Sequence, residues 1–412
     1  MGFWSVIIKG DRRLWGIIAA LIFSSLVIMA SASSQIAFKS EHLYDPFASH
    51  FIFLTAGVIV MFVTSNIPYR FLRIMTYPIV FVSFILLALT PLIGTEINGA
   101  VRSINIFGFE FQPLELGKFS VVLLISDILS RYQNDERFGG KYFWIMTAAI
   151  ITFCGLIAYQ NLSTAIMLFL VAFALMLIGR VKFSQLLQLG GVLAVLLLMF
   201  FFLIKVFPDA VPDRMVTWGN RIEDFATEMT ADKNDADRYR ITDENRQIMN
   251  SKIAIANGIS PSGPGNSEQR DYLPLAFSDF IFAVIVEEYG ILGAVFTIAL
   301  YLGILFIGGQ IARNCDRAYP ALLVTGLSIL IVLQAMISMA VTVQLGPVTG
   351  QPLPLISRGG TSILVTSAYL GIILSISQYT RELRKPSIVI DINGTAADST
   401  TVHATATDTI AE

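Results

Sequence analysis

Apolar runs of about 20 residues, the length that crosses a bilayer, recur along most of the chain and are separated by short polar breaks. Reading apolar length against those breaks predicts spans at 14–34, 48–66, 71–93, 114–131, 142–159, 163–179, 184–207, 288–312, 318–343 and 359–380. The pattern implies an all-α polytopic membrane protein of about ten transmembrane helices, because helices satisfy their own backbone in lipid. One connection breaks the rhythm. Residues 208–278 form a single long loop between spans 7 and 8, and its chemistry is the first to examine, since long loops in compact proteins are usually functional or disordered. Inside it, 229–240 is charge-rich, whereas 241–257 has helical spacing and runs into Gly258, a helix-stop signal. The stretch after Phe280 reads either as a short helix at the surface or as the first turns of the eighth span.

Composition agrees with the pattern. Of 412 residues, 55% are hydrophobic and 14% charged, against about 25% charged in a soluble domain. Lys9, Arg12 and Arg13 precede the first apolar run, as in a signal peptide, but the run lacks a small-residue cleavage pattern and reads as a retained span. Short-loop cations separate by side. Lys9, Arg12, Arg13, Arg70, Arg73, Arg131, Arg137, Lys141, Arg180, Lys182, Arg313, Arg317, Arg381, Arg384 and Lys385 fall on one side; Lys39, Arg102 and Arg358 fall on the other. This predicts a cytoplasmic N-terminus at 1–13 and a membrane domain at 14–385 with loop 208–278 outside. Residues 386–412, poor in large apolar side chains, read as a disordered cytoplasmic tail. A net charge of -2 gives no reason to invoke nucleic acid. Cys154 and Cys315 show no disulfide framework, and His42, His50 and His403 form no metal-ligand spacing. The first two histidines flank a loop and are expected at the membrane interface.

Ionisable groups at membrane depth are costly unless paired or hydrated, which makes each a functional hypothesis. Glu115 and Lys118 are spaced i,i+3 in the fourth span, where opposite charges can pair; a structural ion pair and a substrate-facing role both fit. Asp127, near the inner end, is expected to face water. Residues 263–279 (GPGNSEQRDYLPLAFSD) carry a polar Gly-rich turn to a carboxylate, Asp279, at the edge of an apolar zone, with Glu287 and Glu288 beyond. A partly desolvated carboxylate is a better base; Asp or Ser before a helix is also ordinary capping. Residues 350–362 (GQPLPLISRGGTS) form a second polar knot, where prolines block regular helix and a Gly pair opens the last span. Such a helix N-terminus can bind an anion, or the loop can simply re-enter and pack.

Three blocks in order resemble the SEDS group of FtsW/RodA-type proteins, polytopic glycosyltransferases that polymerise lipid II into peptidoglycan. Residues 98–118 resemble the family's NGA-x-R…QP-x-E-x-x-K segment. Residues 263–290 resemble G-x-G-x-S-x-Q…LP…DFIF…EE-x-G, and 349–362 resemble TG-x-PLP-x-x-S-x-GG-x-S. The resemblance runs from about Arg12 to Arg381. Departures are Ser103 for the usual Trp, Leu114 for Ser, Arg270 for Lys and Arg358 for Tyr; residues 160–163 (QNLS) replace PDLG. Residues 29–33 (MASAS) and the GPGNS turn are more similar to the FtsW, or cell-division, branch.

The resemblance implies a reaction at the outer face of the cytoplasmic membrane. The 4-hydroxyl of one lipid-linked disaccharide joins the anomeric carbon of a glycan whose leaving group is undecaprenyl pyrophosphate. A sugar hydroxyl needs a base, and pyrophosphate needs cations more than a general acid. Asp279 is the implied base, with Asp271 a second acidic position. Arg102, Lys118, Arg214, Arg221 and Arg358 are implied partners for pyrophosphate or for the acidic residues; Glu115, Gln269 and Ser357 complete the substrate-binding set. No cofactor is required by the sequence; Mg2+ or Mn2+ could share the charge, but no ligand set is readable. The implied partners are a class B penicillin-binding transpeptidase, other division proteins and membrane lipid. Rival readings are a lipid II flippase, an elongation polymerase of RodA type, and a scaffold. Against the flippase stands the lack of paired broken helices in matching halves.

Overall fold

A computed structural model of the chain describes residues 9–32, 45–97, 100–106, 109–132, 140–206, 219, 223, 226–227, 241–242, 245–273, 276–384, 388–390 and 396–398. Its helices are α1 (Arg12–Ala32), α2 (Asp45–Ser65), α3 (Tyr69–Ile93), α4 (Pro113–Tyr132), α5 (Lys141–Gln160), α6 (Leu162–Ile178), α7 (Phe183–Val206), α8 (Arg246–Asn257), α9 (Ile281–Arg313), α10 (Ala318–Thr342) and α11 (Gly360–Leu383). Apart from α8, each lies over one predicted span. Among the described residues, seven helices are long and apolar enough to cross a membrane: α1, α2, α3, α5, α9, α10 and α11. α6 is shorter at 17 residues, α4 carries Glu115, Lys118, Asp127 and Arg131, and α7 is apolar along most of its 24 residues, Phe183–Val206. The chain is a multi-pass α-helical membrane protein.

Side-chain size explains how the bundle closes. α2 and α11 pack along their length. A Cβ on Gly57 would lie 2.6 Å from Ser367 Oγ, and one on Gly371 would collide with Thr64 Oγ1, so missing side chains let the backbones approach, as membrane helices commonly do. In their most apolar windows α10 and α11 are 72% buried, whereas α2 and α3 are 22% buried. The first pair therefore forms the centre and the second presents apolar surface to lipid.

The stretch after Phe280 resolves its two readings by combining them. Helix α9 starts at Ile281, but Gly290 interrupts it with φ 63 and ψ -157. A buried helical segment up to Tyr289 thus precedes the longer span. A Cβ on Gly290 would sit 2.6 Å from Pro261 Cγ and 3.0 Å from Gly258 O, so glycine is required both by φ and by space. Helix α8 and its stop at Gly258 match the reading of the long loop.

One feature lies outside the all-helical expectation. Strands β1 (Thr95–Ile97), β2 (Ala100–Ile106) and β3 (Phe109–Phe111) form an antiparallel sheet with β2 in the middle. Ile104 pairs with Phe111; Thr95 pairs with Ser103 and Glu96 with Val101, so the register shifts and Arg102 is the extra residue of a bulge. The signal was present as the dipeptide Asn98–Gly99 between β-forming residues, a strong hairpin cue. In the segment read as a disordered tail, β4 (Ile388–Ile390) and β5 (Ala396–Asp398) pair antiparallel.

Candidate functional site

Proline at the first position of α4 loses no helical hydrogen bond, since that N–H would be unsatisfied anyway. The helix then carries Glu115 and Lys118 into the bundle, 3% and 2% exposed. Lys118 Nζ lies 2.9 Å from Glu115 Oε1, 2.8 Å from Glu115 Oε2 and 2.8 Å from Gln334 Oε1 on α10. The three donors of the ammonium thus have oxygen partners, which offsets the cost of burying the pair. Gln334 Nε2 donates in turn to Pro352 O at 3.2 Å, tying α4 to the proline-rich loop through α10.

That loop positions Asp279. Ser357 Oγ donates to Ser278 O at 2.6 Å and accepts from Leu353 N at 2.8 Å, and Arg358 N donates to Phe277 O at 2.9 Å. Ser357 is 1% exposed and acts as a clamp between two segments rather than as part of a cavity wall. Ser278 Oγ donates to Asp279 Oδ1 at 3.0 Å. The N-cap of α9 is Phe280, so Asp279 stands one residue before the helix boundary. Gly350 has φ +62, and a Cβ there would lie 3.4 Å from Asp279 Oδ2 and 3.6 Å from Arg102 Nη1. The carboxylate and the guanidinium therefore flank one bare stretch of backbone. Arg358 lies over the Phe277 ring at 5.4 Å, a cation–π contact; burial pulls its pKa down, yet arginine stays charged in proteins.

These groups enclose a cavity of ≈ 190 Å³ whose wall includes Arg102, Glu115, Lys118, Asp279, Gln334 and Arg358. Gly359 and Ser362 at the opening of α11 also line it, which sets a helix N-terminus against the space. Two contributors escaped the sequence reading. Gln334 is a lone amide in an apolar run, a signal of the same kind as the buried charges. Asn161, noted only as a departure from the family pattern, ends α5 and starts α6: its N–H donates to Ile157 O at 2.7 Å and its Oδ1 accepts from Thr164 N at 3.2 Å. Its Nδ2 reaches Thr349 O at 3.3 Å, and both Asn161 and Thr164 line the cavity.

Other expected residues lie elsewhere. Asp271 is exposed and 3.5 Å from the Arg270 guanidinium; Gln269 gives its backbone N–H to Glu287, 3.3 Å from each oxygen. Neither lines the cavity. Glu287 also accepts from Asn257 Nδ2 at 3.0 Å and from Ser267 Oγ, while Ser31 Oγ donates to Glu288. Arg214 and Arg221 lie outside the described residues. Among the described part of the long loop, only its final residue, Ser278, reaches the cavity wall; membrane-helix ends, the sheet and the proline-rich loop supply most of the rest.

One expectation is corrected. Asp127 does not face water: it is 0% exposed and is held by Arg73 Nε at 3.0 Å, Arg131 Nε at 2.8 Å and Tyr77 OH at 3.1 Å. His50, near the start of α2, is buried, 2.8 Å from Ser25 Oγ. Among the described residues no group of three or more His, Cys, Asp or Glu could hold a metal ion. Among the described residues lining the cavity the carboxylates are Glu115 and Asp279, too few for an all-protein Mg2+ or Mn2+ cage.

Comparison with known proteins bears on the family and the fold. The probable peptidoglycan glycosyltransferase FtsW of Geobacter sulfurreducens is 30% identical over 366 residues, 87% of this chain and 92% of that protein. The protein of the same name from Haemophilus influenzae is 28% identical over 389 residues, 91% and 92% of the two chains. The fold matches that of Thermus thermophilus rod shape determining protein RodA with a TM-score of 0.63 at 23% identity, covering 91% of this chain and 98% of that one. A chain from a structure described as the coordination of polymerization and crosslinking by a peptidoglycan synthase complex matches at 0.70 and 24% identity, covering 90% and 98%. The family model for FtsW, RodA and SpoVE, described as cell cycle protein, matches residues 11–382, nearly the whole helical bundle, and the chain belongs to that family.

Proposed function

We propose that the chain is a peptidoglycan glycosyltransferase that polymerises lipid II during cell division, with Asp279 as general base. The observation that carries this reading is convergence: three sequence blocks far apart in the chain meet at one cavity, where a carboxylate stands beside fixed cations. The acceptor's 4-hydroxyl gives its proton to Asp279 as its oxygen bonds to the donor's anomeric carbon. The bond from that carbon to the pyrophosphate oxygen breaks, and undecaprenyl pyrophosphate leaves. Arg102 and Arg358 stabilise the charge that develops on the leaving group, an effect strongest where water is excluded. Lys118 contributes its field while its own donors hold Glu115 and Gln334. The amide of Gln334 and the Asn161 cap keep the wall rigid, so little reorganisation accompanies the reaction.

The chain works in the cytoplasmic membrane with both termini inside and the Asp279 cavity outside, beside a class B penicillin-binding transpeptidase that crosslinks the strands. An impermeant thiol reagent applied to intact cells checks the sidedness: a cysteine at Thr95 labels and one at Gly139 does not. Labelling at Gly139 would reverse or renumber the spans.

The deciding experiment is polymerisation of lipid II by purified Asp279→Asn with its partner transpeptidase. Asparagine keeps the size and removes the basic oxygen. Synthesis falls by at least about a hundredfold, the scale of a lost general base, while expression and partner binding hold. Near-normal synthesis would remove Asp279 as the base, and a protein that only flips lipid would make no polymer in either form.

A further inference from the structure

Helices α9 and α11 begin near the Asp279 cavity and end at a second one. At 24 residues, α11 is about 36 Å long at 1.5 Å per residue, so the two cavities sit at opposite ends of the bundle. The second has a volume of ≈ 330 Å³ and is lined by four arginines, Arg12 and Arg13 at the start of α1 and Arg381 and Arg384 at the end of α11. Asp11 is the one carboxylate among the lining residues, and Arg13 already holds it at 3.0 Å. Arg381 Nη1 donates to Gly10 O and Arg384 Nη2 to Asn314 Oδ1. Each of these bonds fixes a guanidinium while using part of its five donors.

Topology alone does not account for this arrangement. Positive residues near span ends orient a membrane protein, a demand that any flexible lysine meets. It does not call for four guanidiniums from opposite ends of the helical bundle's sequence to meet at one cavity. Arginine's planar fork matches the oxygens of a phosphate in pairs. The N-terminus of α1 favours an anion and the C-terminal ends of α9 and α11 oppose one; the arginine excess decides the sign. Above the cavity, Phe306 and Leu302 stand four and eight residues before the lining Gln310 on one face of α9. They are 61% and 47% exposed, an apolar stripe leading from the polar site along the membrane-facing helix.

We propose that this cavity binds a phosphate group, carried by an anionic lipid headgroup in the leaflet opposite the Asp279 cavity, with an acyl chain along the α9 stripe. Phosphate is the recognised chemistry, and the stripe selects the lipid as its source. The site is separate from polymerisation and stands whether or not Asp279 is the base.

The test uses the full chain purified in detergent, with native mass spectrometry of retained lipid and the rise in melting temperature on adding lipid. The probes are phosphatidylglycerol, phosphatidylcholine and inorganic phosphate. The variants are the doubles Arg12→Gln with Arg384→Gln and Arg12→Lys with Arg384→Lys. Wild type retains phosphatidylglycerol over phosphatidylcholine, and the Gln double loses that binding by about tenfold or more, as expected for charge-assisted hydrogen bonds. The Lys double, which keeps the charge and the topology signal, loses part of it and serves if the Gln double does not fold. Displacement of the lipid by millimolar inorganic phosphate, weakened in the same variants, supports the phosphate site with a soluble source. Equal lipid retention in wild type and either double overturns the proposal, leaving general charge attraction or annular lipid; so does failure of wild type to bind any probe.

Discussion

Two acidic regions come from the same sequence block, residues 263–290, and have opposite fates. Glu287 is 1% exposed, and Asn257, Ser267 and the Gln269 N–H occupy its two oxygens. It fastens the Gly-rich turn to the kinked start of α9. Asp279, eight residues earlier, is half-buried and stands on the wall of a polar cavity, across Gly350 from Arg102. Motif density is equal in the two places, and so is residue chemistry. What differs is the surroundings: Glu287 is enclosed by its own turn, whereas Asp279 borders a cavity with room for another molecule.

Exchanging charge for amide at the two sites should separate them most sharply. Asp279→Asn is expected to abolish most polymerisation, as stated above, with the melting temperature within a degree or two of wild type. Loss of folding in place of activity would erase the contrast with Glu287. Lys118→Met comes next, because it removes one partner of a buried pair. A cost of roughly 3–5 kcal/mol in stability is expected, accompanied by loss of synthesis. The double variant Glu115→Gln with Lys118→Met should regain much of the stability without regaining synthesis, checked by thermal denaturation alongside lipid II turnover. Recovery of both would make the pair purely structural.

Gly290→Ala forces a Cβ against Pro261 at positive φ, with an expected loss of about 1–3 kcal/mol. Glu287→Gln should lose a similar amount, about 1–3 kcal/mol, through its unmatched donors. Both are read in denaturation midpoints, and both should keep near-normal turnover per folded molecule once the partner is bound. Asp271→Asn is the smallest change expected, within about 0.5 kcal/mol. Its partner Arg270 is a neighbour at a partly exposed site, where ion pairs contribute little. A large loss of turnover from Asp271→Asn would shift the base assignment to Asp271.

Much of the fold was legible because lipid imposes a single rule, that apolar runs of bilayer length become helices. Helix α8 and Gly258 followed from spacing and a stop residue. The sheet was hidden by short strands whose pairing depends on tertiary context, although Asn98–Gly99 marked the turn. At the site, Glu115, Lys118 and Asp279 were conspicuous as charge near an apolar zone, whereas the roles of Arg102 and Arg358 came with the family resemblance. Gln334 and Asn161 were harder to find: an uncharged amide announces itself less, and only the folded bundle brings α10 and the α5–α6 junction to the same wall. Asp127 failed for the converse reason, since position near a predicted span end says little about which helices close over it.

The bulge in β2 bears on how tolerant this wall can be. In a regular strand, alternation ties each side chain's direction to those of its neighbours, and a shift by one residue turns them all to the other face. A bulge resets that parity at one position and re-aims the side chain there. Arg102 occupies that position, so its bearing is set by the local irregularity and is uncoupled from the pleat on either side. Substitutions at Val101 or Ile104 that preserve pairing leave the guanidinium aimed as before, whereas removing a single residue between Ala100 and Ser103 restores regular alternation and turns the cation's bearing over to the pleat.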